Sequence, residues 1–252
     1  MDKYGIIGFP LGHSFSRGFF TEKFTQEGID AQYLNFEIPD ATMLRDVLHH
    51  NPELRGLNVT LPHKQAVIPL LDELSDEARE IGAVNVIRVR DGKLKGFNSD
   101  IIGFTESIRP LLQPHHTHAL ILGTGGASRA IRVGLERLGI EWTYVSRKQT
   151  THSSTERVQE CPMLNYSDLT PEVMTTHTII VNCSPVGMFP KTDQAPAIPY
   201  ELLTSHHLLY DLVYNPEDTL FMKKGRAYGA TVKNGLEMLH LQAIASWRFW
   251  NE

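Results

Sequence analysis

The stretch Ala119-Leu120-Ile121-Leu122-Gly123-Thr124-Gly125-Gly126-Ala127-Ser128-Arg129-Ala130 constrains the fold of this chain more than any other. Four apolar residues run into a glycine-rich turn, and an amphipathic helical pattern follows through Ile131, Val133, Leu135 and Leu138. So short an apolar run reads as a strand covered on both faces, the form strands take in parallel sheets. Gly123 permits a tight turn, and Gly125 and Gly126, with Ala127 beside them, let backbone amides approach a phosphate closely. The next helix presents unpaired N–H groups and its positive dipole end to that phosphate. This order predicts the start of a Rossmann-type dinucleotide-binding domain. One position departs from the usual spacing: Ser128 stands where a third glycine or alanine is expected.

About twenty positions on, the apolar run Glu141-Trp142-Thr143-Tyr144-Val145 ends in Ser146-Arg147-Lys148. No carboxylate is present there to hold a ribose 2′-hydroxyl, whereas two cations suit a 2′-phosphate. NADP(H), rather than NAD, is therefore the expected cofactor. The plain structural alternatives are a glycine-rich connection in a ligand-free α/β domain and a solvated basic loop.

With 252 residues, 41% of them apolar, the chain can bury a sizeable core in one large domain or two smaller ones. A net charge of -5 argues against nucleic-acid or membrane-surface partners. No long apolar stretch occurs, and Met1-Asp2-Lys3-Tyr4 leads directly into a strand pattern. Neither a signal peptide nor a transmembrane helix is expected, and the location is read as cytoplasmic. Cys161 and Cys183 lack metal-ligand spacing. Of the twelve histidines, His49-His50, His115-His116, His118 and His206-His207 fall at predicted loops or element ends. With no partnering carboxylate or cysteine pattern, they are expected to be solvated, and no metal site is expected.

In chain order, a strand is expected at 3–9, followed by the turn-rich Pro10-Leu11-Gly12-His13-Ser14-Phe15-Ser16. A helix at 18–27, a strand at 31–37 and a helix at 40–49 with Asp40 as its cap come next. A strand at 56–60 precedes a helix that carries Lys64 and opens with Pro62 at its first position. A helix at 75–81, capped by Ser75, precedes a hairpin whose strands, 84–89 and 93–97, flank Asp91-Gly92. A helix near 100–112 leads to the glycine-turn unit, and 149–160 reads as a loose loop with a short helix. Strands at 178–182, 208–213 and 230–232, a helix at 217–228 and a last helix after Gly235 complete the pattern.

Polar residues cluster at strand ends: Ser14, Ser16, Asn58, Thr60, Lys64, Asn85, Asn98, Asp100, Tyr214 and Gln242. Any one alone reads as a turn or cap residue. Ligands of open α/β sheets bind outside the carboxyl ends of strands, so several such sets together point to a polyhydroxylated ligand.

At these residues the chain resembles the shikimate dehydrogenase family, NADPH-dependent enzymes that reduce 3-dehydroshikimate to shikimate in aromatic amino acid biosynthesis. Gly8-Phe9-Pro10-Leu11-Gly12-His13-Ser14-Phe15-Ser16 is similar to the N-terminal motif whose two serines bind the substrate carboxylate. Gly56-Leu57-Asn58-Val59-Thr60-Leu61-Pro62-His63-Lys64 is similar to the motif with substrate contacts and the catalytic lysine. Ile81-Gly82-Ala83-Val84-Asn85 and Asn98-Ser99-Asp100 resemble the motifs of the substrate asparagine and the catalytic aspartate. Tyr210-Asp211-Leu212-Val213-Tyr214-Asn215-Pro216 and Gly235-Leu236-Glu237-Met238-Leu239, with Gln242, resemble the late motifs. Those imply Tyr214 and Gln242 on the substrate, and Gly235 and Met238 facing the nicotinamide.

Departures are Arg17 in place of proline, Val86 and Ser99 in place of threonine, and Ser146-Arg147-Lys148 in place of Asn-Arg-Thr. The family's typical final helix is expected to be cut short at Glu252.

The resemblance implies two domains with a cleft between them. The substrate-binding and catalytic domain would be 1–103, completed by the helix 236–252, and the NADP-binding domain 104–235. Lys64 would exchange a proton with the substrate oxygen, held in place by Asp100. Quinate dehydrogenase is the near alternative, and a catalytically silent NADP-binding regulator the distant one. The presence of both Lys64 and Asp100 speaks against silence. The expected partner is the small-molecule substrate alone, bound by a monomer or homodimer.

Overall fold

The computed structural model describes residues 1–12, 15–147 and 162–252. They divide into two compact units, Met1–Gly103 together with His240–Glu252, and Phe104–Leu239. Among these residues no helix is long and apolar enough to cross a membrane.

The first unit begins with β1 (Asp2–Gly8), α1 (Phe15–Glu27) and β2 (Ala31–Glu37). A 3-10 turn at Ala41–Met43 follows, capped by Asp40, whose Oδ1 accepts from Thr42 N at 2.8 Å, and leads into α2 (Leu44–His50). Next come β3 (Leu54–Val59), α3 (His63–Ala66) and β4 (Glu73–Leu74). The unit continues with α4 (Asp76–Ile81), β5 (Val86–Arg90), β6 (Lys93–Phe97) and the start of α5 (Asp100–Ile108). Ser75 caps α4 as expected, accepting from Ala78 N at 3.2 Å. The β5–β6 turn places Asp91 and Gly92 at φ 52° and 75°, the two positive values of a type I′ hairpin. Pro62 sits one position earlier than expected, as the N-cap of a helix only four residues long. The helix expected at 18–27 already starts at Phe15.

The sheet order is β2-β1-β3-β5-β6-β4. The strands β1, β2 and β3 are parallel, while β5 runs antiparallel to both β3 and β6. The carboxyl ends of β1, β3 and β6 and the start of β5 therefore share one edge. The chain leaves β1 for β2 on one side and returns to β3 on the other, the switch point at which open sheets bind ligands.

One face of the sheet is closed by a core of Ile7, Leu44, Leu57, Val67, Ala78, Val84 and Ile87. The other is aromatic: Tyr4, Phe20, Phe24, Tyr33, Phe97 and Trp250. Trp250 lies over Gly56, where a Cβ would come within 2.3–2.5 Å of indole atoms, so only glycine lets the helix approach.

The second unit comprises β7 (His118–Leu122), α6 (Gly126–Arg137), β8 (Glu141–Val145), β9 (Met163–Leu164) and α7 (Pro171–Thr176). It continues with β10 (Ile179–Asn182), β11 (Leu208–Asp211), α8 (Leu220–Ala227), β12 (Thr231–Lys233) and the start of α9 (Leu236–Asn251). Its sheet, ordered β12-β11-β10-β7-β8-β9, is parallel throughout. That order is the doubly wound arrangement of dinucleotide-binding domains. Residues 119–122 are fully buried, as their apolar run requires.

Three further boundaries differ from expectation for local reasons. The strand expected at 208–213 stops at Asp211, whose Oδ1 accepts from Val213 N at 3.1 Å and curls the chain away. The helix expected at 217–228 starts only at Leu220, behind Thr219, which accepts from Met222 N at 3.3 Å. The helix expected near 100–112 gives way at Ile108 to a 3-10 turn, Arg109–Leu111, because Pro110 has no N–H for the helical ladder. The loop and short helix expected at 149–160 lie outside the described residues. Neither β9 nor α7 was foreseen; α7 begins behind Thr170, which accepts from Val173 N at 3.4 Å.

The histidine expectation needs correction. His116 and His207 are buried, not solvated. His116 Nδ1 accepts from Gln113 N at 2.9 Å, and its Nε2 meets His206 O at 3.1 Å. His207 Nδ1 accepts from Thr204 N at 3.0 Å, and its Nε2 meets Met174 O at 2.9 Å. Both rings bridge backbone groups that the turns around them leave unpaired. Among the described residues no group of three or more His, Cys, Asp or Glu is placed to hold a metal ion.

Candidate active site

Lys64 emerges just beyond β3 on a helix pinned from several directions. His63 N donates to Thr60 O at 2.9 Å, and Val84 N donates to Lys64 O at 2.7 Å. The buried His63 ring sets Nε2 2.6 Å from Ile38 O. From this support the Lys64 ammonium donates to Asp100 Oδ2 at 2.6 Å, with side chains 13% and 3% exposed.

Asp100 opens α5, where a carboxylate complements the helix dipole. Asn98 Oδ1 accepts from Ile101 N at 3.4 Å, while its Nδ2 donates to Ala83 O at 3.0 Å. Asn98 is thus a cap and loop tie. Asn85 Oδ1 accepts from Ser99 N at 2.7 Å; its Nδ2 donates to Asp100 Oδ1 at 2.8 Å and Ser99 Oγ at 3.0 Å. Each carboxylate oxygen of Asp100 therefore has a donor, ammonium on one and amide on the other. An ion pair so enclosed survives only with such partners.

A second group lies on β2, β3 and α9. Tyr33 OH donates to Asn58 Oδ1 at 2.8 Å. Burial pushes the Tyr33 phenol far up. Asn58 Nδ2 donates to Ser246 Oγ at 2.9 Å, and Ser246 Oγ donates to Gln242 O at 2.8 Å. Thr60 closes β3: its N donates to Ile7 O at 2.9 Å, and its methyl would meet a Cβ on Gly8 at 2.5 Å.

Ser16, Asn58, Thr60, Lys64, Asn85, Asp100 and Gln242 thus all belong to the first unit. Ser14 lies outside the described residues. Tyr214 belongs to the second unit, beyond β11, half-buried with its phenol pushed up by that burial. Neither Tyr33 nor Ser246 was singled out from the sequence. Tyr33 reads as an ordinary core position of a strand. Ser246 did carry a signal, being four residues from Gln242 and eight from Met238 on one helical face.

In the second unit, Gly123 follows β7 at φ 103°, a left-handed conformation that favours glycine. Its N donates to Val145 O at 2.9 Å. Gly125 is the N-cap of α6, and a Cβ there would meet nothing within 4 Å. Gly126 and Ala127 begin the helix, so their N–H groups lie in its unpaired first turn. Ser128 is fully buried, and its Oγ donates to Gly125 O at 2.7 Å, which explains how a serine replaces the third glycine.

Ser146 and Arg147 follow β8; Arg147 is exposed, with its charge felt at Tyr166. Lys148 lies outside the described residues. Gly235 precedes α9 so closely against Leu212 O that a Cβ would fall 2.2 Å away, and Met238 is buried in the second unit's core. An open glycine turn, a free helix N-terminus and an exposed arginine past the next strand fit a 2′-phosphorylated dinucleotide.

Comparison with known proteins bears on this arrangement directly. The family model "Shikimate dehydrogenase substrate binding domain" matches residues 6–87. A shikimate dehydrogenase (NADP(+)) of Desulforamulus reducens is 35% identical over 262 residues, covering 98% of this chain and 88% of that protein. The crystal structure of a Thermus thermophilus shikimate 5-dehydrogenase, in complex with NADP(H) and shikimate, superposes with a TM-score of 0.86. It is 30% identical, over 99% of this chain and 93% of its own. The ligand-free 5-ketofructose reductase of a Gluconobacter strain reaches a TM-score of 0.82 at 30% identity, over 99% and 92%. The match over 98% of this chain and 88% of the relative, at 35% identity, places the chain in one family: it belongs to the shikimate dehydrogenases.

Proposed function

We propose that this chain is an NADP-dependent oxidoreductase that reversibly reduces 3-dehydroshikimate to shikimate, a step of aromatic amino acid biosynthesis. The observation that carries this reading is the enclosed Lys64–Asp100 pair, 2.6 Å apart. It stands at the sheet edge where several other polar side chains gather. In this reading residues 1–103 with the helix 236–252 hold the substrate, and 104–235 hold the cofactor.

NADPH, when bound, supplies the hydride. Gly123, Gly125, Gly126 and Ala127 hold its pyrophosphate, Ser146, Arg147 and Lys148 its 2′-phosphate, and Gly235 and Met238 line the nicotinamide. A ketone reduced by hydride becomes an alkoxide, and Lys64 Nζ donates the proton to that oxygen. In the oxidative direction the same nitrogen takes the hydroxyl proton. Asp100 aims the ammonium through Oδ2, and Asn85 fixes the carboxylate through Oδ1.

Ser14 and Ser16 hydroxyls receive the substrate carboxylate. Hydrogen bonds to a charged group contribute about 1.5–3 kcal/mol each, so no arginine is needed. Asn58, Thr60, Asn85, Tyr214 and Gln242 recognise the ring hydroxyls.

The test is a turnover comparison of shikimate and quinate, each with NADP+ and NAD+, alongside reduction of 5-ketofructose. Shikimate with NADP+ should have the highest kcat/KM. A preference for quinate or 5-ketofructose would reassign the substrate, and no turnover of any would refute the enzymatic reading.

A further inference from the structure

Ser246 joins the two hydrogen-bonded groups of the first unit. It is fully buried on α9, and its hydroxyl proton goes to Gln242 O at 2.8 Å. Its oxygen can therefore only accept from its other neighbours, Asn58 Nδ2 at 2.9 Å and Ser99 Oγ at 3.4 Å. The remaining directions follow. Ser99 N donates to Asn85 Oδ1, which turns Asn85 Nδ2 toward Ser99 Oγ and Asp100 Oδ1. The hydroxyl proton of Ser99 then points to Ser246. On the other side, Tyr33 OH donates to Asn58 Oδ1. One consistent set of donors runs from the Lys64 ammonium to the Tyr33 phenol, with Ser246 accepting from both arms.

We propose that Ser246 is a positioning residue for the dehydrogenase reaction. Through Asn58 it sets the side of the site that recognises the ligand, and through Ser99 and Asn85 it sets the carboxylate that aims Lys64. The role rests on the dehydrogenase reading above. Without this hydroxyl, the Ser99 O–H loses its acceptor and Asn58 Nδ2 keeps only the longer contact to Asn85 O, at 3.5 Å. Donors in such a network do not stay unpaired, so the Asn58 amide turns toward Asn85 O and leaves the pose in which it would meet the substrate.

The test is steady-state oxidation of shikimate with NADP+ by Ser246→Ala, Tyr33→Phe and the double variant, each checked for folding by thermal melting. Ser246→Ala should raise the shikimate KM about tenfold, with a smaller fall in kcat and an unchanged NADP+ KM. The double variant should be no worse than the poorer single one, because both release the same amide. A folded Ser246→Ala with unchanged shikimate KM overturns the proposal, as do fully additive effects. Should Ser246→Ala fail to fold, Tyr33→Phe decides: a raised shikimate KM at unchanged NADP+ KM supports the network, and an unchanged one overturns it. An unaltered chain that leaves shikimate unoxidised refutes the dehydrogenase reading itself, and the positioning role falls with it. That outcome is visible before any variant is made.

Discussion

Lys64 has little freedom: its backbone is tied to Val84 and its ammonium to Asp100. Replacing it with alanine removes the proton donor and leaves Asp100 without its counter-charge, which lowers stability, but Asn85 still holds the carboxylate, so the fold should persist. Lys64→Ala is therefore expected to lower kcat by about 10²–10⁴-fold with NADPH binding unchanged, as measured by steady-state kinetics and cofactor titration. A near-normal kcat would remove Lys64 from the chemistry. Arg147 makes a different prediction, because it is exposed and serves recognition alone in the proposed function. Arg147→Ala should raise the NADPH KM about tenfold and leave that for NADH almost untouched, since only NADPH carries the 2′-phosphate. Equal effects on the two cofactors would contradict the assignment.

At the scale of the elements, the C-terminal part of α9 closes the aromatic face of the first unit. Trp250 packs against Tyr4, Phe20 and Tyr33 with ring centroids 4.9, 5.0 and 6.4 Å away, and its Nε1 donates to Ile87 O at 3.1 Å. Phe249 stacks on Phe97 at 4.6 Å. The same helix carries Gln242 and Ser246, so its seating and the site's geometry are one problem. Trp250→Ala should cost about 3–5 kcal/mol, seen as a fall in the denaturant midpoint. Shikimate KM should rise with it, because α9 loses its anchor. Gly56→Ala attacks the contact from the sheet side and should weaken the same packing. A variant at either position with unchanged stability would show that α9 is held by something else.

The pH response belongs to the whole molecule. Burial, which disfavours the charged imidazolium, lowers the pKa of His116 and His207 below the usual histidine value of 6.5, and neighbouring histidines add to the lowering. With the folded pKa depressed, their contribution to stability is complete above about pH 6.5 and is lost as the pH falls toward the folded value. Asp211, pushed up to about 6 by burial, titrates in the same window with the opposite sign. Comparing a variant with its parent cancels the Asp211 contribution. The fall in melting temperature from pH 7.5 to 5.5 should be smaller in His207→Asn, which retains an acceptor for Thr204 N, than in the unaltered chain. Identical slopes would show that His207 titrates alike folded and unfolded.

By itself, the sequence determined what is settled within a few residues. Asp40, Ser75 and the Asp91-Gly92 pair each act on backbone two or three positions away. The glycine turn after residues 119–122 is likewise written in adjacent positions, and Lys64 and Asp100 were legible through the resemblance of the contiguous motifs that carry them. Tertiary structure alone decided the rest. Two-residue strands such as β4 and β9 exist only because a neighbouring strand pairs with them. His116 and His207 look like loop residues until distant carbonyls cover them. Asn58 and Ser246 meet across 188 positions, a pairing that no local propensity encodes, because chain separation says nothing of which buried donor needs which acceptor until the sheet and α9 bring them together.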